Sequence, residues 1–100
     1  MVDFLVLCTF DLKDASSQNY VDAYSDLLRF GLKKVHVADN GASCVIPTTT
    51  AMGVLQGTSA AVVRDYVSNG VQAAFRKRGF KSEIFVTAAG SDWAWGGRVS

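Results

Sequence analysis

Asp3-Phe4-Leu5-Val6-Leu7-Cys8-Thr9-Phe10-Asp11-Leu12, residues 3–12, holds a run, Phe4 to Phe10, that is apolar at nearly every position and bounded by acids. A short run apolar on both alternating faces is the pattern of a strand covered on each side. Residues 3–12 are therefore read as a central strand, with Leu5 and Leu7 on one face and Phe4, Val6 and Cys8 on the other. Downstream, Asp14-Ala15-Ser16-Ser17 offers N-cap candidates, Tyr20, Val21, Tyr24, Leu27 and Leu28 recur at helical spacing, and Gly31 supplies a C-cap. That predicts a helix over 17–30. Its opposite face, Gln18, Asp22, Ser25, Asp26 and Arg29, is expected to be solvated.

A weakly alternating segment, Lys33-Lys34-Val35-His36-Val37, ends in Asp39-Asn40-Gly41, where Asn-Gly is a strong turn dipeptide. It reads as a short second strand. The stretch from Cys44 to Leu55 is rich in β-branched residues, and Pro47, lacking an N–H, marks an edge or bend, so the third strand is expected in 49–55. Val63, Val67, Gly70, Val71, Ala74 and Phe75 form one stripe of a second helix over 59–78 that stops at Gly79. Residues 81–89, with Ile84, Phe85 and Val86, supply the last strand, and residues 90–100 form a glycine-flanked tail with Trp93 and Trp95. Strand, helix, strand, strand, helix, strand with right-handed crossovers is an α+β ferredoxin-like βαββαβ plait: a four-stranded antiparallel sheet with both helices on one face.

Such a sheet leaves its second face bare, yet Leu5 and Leu7 point there. A second copy of the chain is the favoured cover, since two-fold dimers are the commonest assemblies; the alternative is that loops and the tryptophan tail fold back. Leu5, Leu7, Trp93 and Trp95 are then the expected interface residues, because buried aromatics dominate cores and contacts.

The chain has 100 residues, 49% apolar and 19% charged, with a net charge of +1. This is the composition of one globular domain spanning 1–100. It carries no large field that would draw it onto nucleic acid or anionic lipid. No stretch approaches the roughly 18 apolar residues of a membrane span, and no basic segment precedes Phe4 as in a secretory leader. Cys8 and Cys44 sit in apolar surroundings and read as small buried hydrophobes of a reducing compartment, so the cytoplasm is the expected location.

Sought motif by motif, chemistry is sparse. There is no G-x-S-x-G elbow, P-loop or dinucleotide fingerprint, and one histidine with two cysteines fails every zinc spacing. A Cys44–His36 pair is conceivable but lacks a recognisable third, orienting group. Asp11, closing the first strand, is the candidate ligand for a hard cation such as Mg²⁺; its bland alternative is a strand-end carboxylate. Lys33 with Lys34, and Arg76 and Arg78 near Lys81, are candidate phosphate contacts that with Tyr20, Tyr24 or the tryptophans would hold single-stranded RNA. The second basic group is equally explained by the dipole at a helix C-terminus.

The strand Val6-Leu7-Cys8-Thr9-Phe10-Asp11-Leu12 followed directly by an amphipathic helix resembles the opening of the small CRISPR-associated endoribonuclease-like subunit of the spacer-integration complex. It is also similar in plan to GhoS-type antitoxin endoribonucleases. Ile46-Pro47-Thr48-Thr49-Thr50 and Ile84-Phe85-Val86 running into Asp92-Trp93-Ala94-Trp95 extend the likeness along the chain. The resemblance implies a homodimeric, Mg²⁺-dependent endoribonuclease or a nuclease-fold antitoxin or defence protein. Asp11 would lie near the two-fold axis as both catalytic residue and metal ligand. Phe10 stands where the CRISPR-associated family usually has tyrosine. The competing expectation is a non-enzymatic module whose sheet face, edge strand or tail docks a protein; a small-molecule-binding dimer is a third.

Overall fold

The computed structural model describes residues 1–98; residues 99 and 100, the end of the expected tail, lie outside the described residues. The elements are β1 Val2–Leu12, α1 Ser17–Arg29, β2 Val35–Val37, β3 Ser43–Val45, β4 Thr50–Gly57, α2 Ala60–Lys77 and β5 Ser82–Ala89. The chain is thus α+β, with two helices and antiparallel pairing throughout.

Both helices begin and end as their local chemistry dictates. The Ser16 hydroxyl accepts from the Asn19 amide while the Asn19 side chain accepts from the Ser16 amide, a reciprocal cap that fixes the start of α1. Ser59 accepts from the Val62 amide and does the same for α2. Each helix closes on a glycine at positive φ, Gly31 and Gly79, a conformation that residues with a Cβ adopt only at a cost. The Leu32 amide then donates to Leu27 and the Phe80 amide to Phe75, the six-to-one bond of a Schellman ending.

The core lies between the helices and one face of the sheet. Phe4, Val6, Cys8, Phe10 and Leu12 on β1 pack with Ala23 and Leu27 of α1 and Val63, Val67, Val71 and Phe75 of α2. Phe10 is its centre, with ring centroids 5.4 Å from Tyr24 and 5.6 Å from Phe75, both edge-on. At Gly53 the chain following α1 crosses β4 so closely that a Cβ would overlap the Gly31 carbonyl.

The expected four-stranded sheet is replaced by a three-stranded one, in the order β4-β1-β5, and a separate two-stranded hairpin, β2-β3. Of the anticipated second strand only Lys33 reaches the sheet, bridging Met52 through reciprocal bonds of 2.8 and 2.9 Å. Beyond it Val35–Val37 pairs with Ser43–Val45 across the Asn40-Gly41 turn, where Gly41 sits at φ 84 and Ala38 donates to Ala42. The short loop explains the outcome: local closure with a glycine in the left-handed position competes effectively with pairing to a distant strand.

A second correction concerns α1. Asp26, expected to be solvated, is only 2% exposed. Its carboxylate accepts both Arg78 Nε at 2.7 Å and Arg78 Nη2 at 2.8 Å, a fork that ties α1 to the end of α2. A buried carboxylate is tolerated only with such compensation.

Candidate functional site

The face of the sheet away from the helices divides into two parts. Leu5, Leu7, Thr9 and Asp11 of β1 share it with Val54, Met52 and Thr50 of β4 and with Ala89, Thr87, Phe85 and Glu83 of β5, by the pairing registers. One part is covered by the chain itself. The inner side of the hairpin, with Cys44 and Ile46, and the tail from Trp95 to Arg98 form a cleft with Leu7 and Met52. Met52 is buried there. His36 pins this cover: its Nε2 lies 3.0 Å from the Lys33 carbonyl and 2.7 Å from the Met52 carbonyl, so two acceptors assign the proton to Nε2. Trp95 stands edge-on to the His36 ring at 5.9 Å.

The other part is open. Val54 is 53% exposed beside half-buried Leu5, and Phe85, opposite Thr9 further along β1, is 64% exposed. Sequence reading named Leu5 and Leu7 but missed Val54 and Phe85. The signal for Phe85 lay in the alternation Ile84 and Val86 inward, Glu83, Phe85 and Thr87 outward, hidden by the continuous apolar run Ile84-Phe85-Val86.

At one end of this face Asp11 stands directly across from Glu83. Asp11 is exposed, and the Tyr20 hydroxyl contacts it at 3.4 Å while reaching the Leu12 carbonyl at 3.2 Å. Glu83 pairs with Lys13 at 3.3 Å, both side chains well exposed, a contact worth little by itself. No group of three or more His, Cys, Asp or Glu side chains suited to a metal forms among the described residues.

The candidate phosphate contacts are not gathered there. Lys33 and Lys34 lie outside β4, whereas Arg76 and Arg78 lead into β5 at the opposite edge. Lys34 Nζ sits 4.7 Å above the Tyr24 ring. Arg78 is engaged by Asp26, with Asp22 at 3.9 Å; the hydrogen bond from Arg78 to Asp26, supplemented by both carboxylate charges and opposed by desolvation, holds its guanidinium above the ordinary value. Arg76 is exposed in the last turn of α2. In the tail, Trp93 is half-buried beside Ala38 and Asp39, and Trp95 is 38% exposed.

Cys44 and His36 do come together, as a directly facing pair on the hairpin, with backbone carbonyls orienting the imidazole. Cys44 is a half-buried free thiol. Cys8 is free and fully buried, and burial pushes its thiol up to about 11. No helix among the described residues is long and apolar enough to cross a membrane. Comparison with protein-family models, curated proteins and solved structures finds no match to this chain.

Proposed function

We propose that the chain is a protein-binding module of ferredoxin-like plan. In that plan the spatial order β5-β1-β4 is followed by the second strand, here reduced to the single Lys33–Met52 bridge, with the β2-β3 hairpin projecting beyond it. One observation carries the functional reading: on the helix-free face Val54 beside Leu5, and Phe85 beside Thr9, stay exposed on either side of the Leu7–Met52 row that the chain's own hairpin and tail cover. Large apolar side chains exposed on a sheet face favour burial, each by about 1.5–3 kcal/mol when fully covered. The fitting occupant is an amphipathic segment that seats apolar side chains against Val54 and Phe85 and carries a lysine or arginine at the Phe85 end, opposite Asp11 and Glu83.

Val54→Asp places an unpaired carboxylate on the face without entering the core, and it is expected to weaken the partner at least about tenfold. Tyr66→Asp, on the outer side of α2, should leave binding unchanged. Equal affinity for the two variants would remove the reading.

A second reading, a metal-dependent endoribonuclease, is favoured by Asp11 facing Glu83 and by the resemblance of the β1 segment. Magnesium is commonly held by one or two carboxylates with waters and substrate phosphates, so Asp11 and Glu83 are the residues that would hold it. The ion would supply Lewis acidity and an activated water. A time course with RNA and DNA in Mg²⁺ or EDTA, beside Asp11→Ala, decides it. Metal-dependent cleavage lost in the variant establishes an enzyme; cleavage absent, or indifferent to Asp11, discards one.

A further inference from the structure

Strand β5 forms one edge of the sheet, and the ladder determines which of its groups are free. The Lys13 amide donates to the Lys81 carbonyl at 2.9 Å, so the odd-numbered residues of β5, in register with β1, are the ones bonded to it. The amides and carbonyls of Ser82, Ile84, Val86 and Ala88 therefore point outward. No backbone bond reaches those four from elsewhere among the described residues. Edges of this length are ordinarily blunted by proline, a bulge or a central charge. β5 has none: its sole charge is Glu83, near its start, and the tail departs toward the hairpin on the far side of the sheet.

We propose that β5 is a dimer seam, at which two copies of the chain pair antiparallel about a two-fold axis to make one six-stranded sheet. Of the exposed apolar residues named on the helix-free face, the seam engages Phe85 on β5, and Val54 on β4 lies outside it. A continuous sheet requires outward-pointing residues to meet outward-pointing residues with side chains on matching faces. Setting Ile84 opposite the partner's Val86, and Ser82 opposite the partner's Ala88, uses all four outward residues in each copy. A slip by one residue pair in either direction leaves one of them unmatched. The same register brings Phe85 against the partner's Phe85 on the axis, in a non-hydrogen-bonded pair whose Cβ atoms approach to about 4.5–5.5 Å. A slip that centred Glu83 would oppose two carboxylates.

The size of the contact is adequate but small. Eight residues give an edge about 26 Å long. With a thinnest molecular dimension of 18 Å, the projected area is on the order of 500 Å² per copy. The total, about 1,000 Å², is the threshold of a specific contact and below the standard range, so main-chain pairing and the Phe85 contact must supply much of the affinity.

The test combines mass in solution with two variants. The wild-type chain is expected at twice 10.7 kDa by light scattering. Val86→Pro removes an N–H that points away from β1, costs no bond within the chain, and should weaken dimerisation by roughly ten- to hundredfold. In a Cys44→Ser background, Phe85→Cys should oxidise to a disulfide-linked dimer, because the facing Cβ atoms lie near bonding distance, while Val54→Cys, at a position also more than half exposed, should not. A wild-type chain that remains monomeric at roughly 100 µM overturns the proposal. So does a dimer in which Phe85→Cys and Val54→Cys cross-link alike or not at all.

Discussion

Replacing His36 by Ala should release the hairpin from the sheet without unfolding the core. In the native chain one N–H on His36 is shared by the Lys33 and Met52 carbonyls, which also accept each other's backbone amides. Removing the imidazole therefore orphans no acceptor. The loss is one shared hydrogen bond, about 0.5–1.5 kcal/mol net, plus the edge contact with Trp95, about 0.5–1.5 kcal/mol. The sum, about 1–3 kcal/mol, converts to amide exchange roughly 5- to 150-fold faster wherever local opening governs exchange. Hydrogen exchange read by mass spectrometry on peptides covering 35–46 and 91–98 should show this increase, and peptides from β1 and α2 should not change. Unaltered exchange in 35–46 would refute the latch; acceleration spread evenly over the chain would show that His36 supports the core instead.

Phe75→Ala empties a fully buried site against Phe10 and Phe80, and urea unfolding should lose about 3–5 kcal/mol. Gly53→Ala drives a methyl into the Gly31 carbonyl; a loss of about 1–3 kcal/mol, lowering the melting temperature by about 4–8 °C per kcal/mol, is expected by calorimetry. Asp26→Asn weakens the fork that holds Arg78 and should lower the urea midpoint, whereas Asp22→Asn, at 3.9 Å and partly exposed, should leave it nearly unchanged. Burial raises the Cys8 thiol from 9.0 to about 11, so the folded chain holds that proton more tightly than the unfolded one. Its contribution is complete below pH 9.0 and is lost as pH rises through about 11, by about 2–3 kcal/mol in total; Cys8→Ala should flatten that part of the urea-midpoint profile.

The parts of this fold that were legible in the sequence are those fixed by nearby residues. Ser16, among the cap candidates at one end of α1, Gly31 at the other, and Gly79 after α2 announce the helices within a turn of where they occur. The double-sided apolar run of β1 foretold a central strand, and β1 does lie between β4 and β5. Pairing was less visible. Asn40-Gly41 reads as a turn, but nothing in it says that the segment it folds back onto Val35–Val37 is Ser43–Val45. Asp26 looked solvated because its partner, Arg78, is 52 residues distant, and nothing near Gly53 advertises the passage of Gly31 above it. At the candidate site, Leu5 and Asp11 were marked by local pattern, whereas the exposure of Val54 and Phe85 depends on how far the hairpin and tail extend across the sheet.

The role of the open face as a docking surface is tested most directly by covalent capture from it. A photoreactive amino acid in place of Val54, on β4 away from the β5 edge, is irradiated in cells that produce the chain, beside the same substitution at Tyr66 on α2. One cross-linked protein is expected from position 54 and none from 66, with the attached peptide apolar and a lysine or arginine further along it, at the end that reaches Asp11 and Glu83. Cross-links from 66 equal to those from 54, or none from 54, would contradict that role.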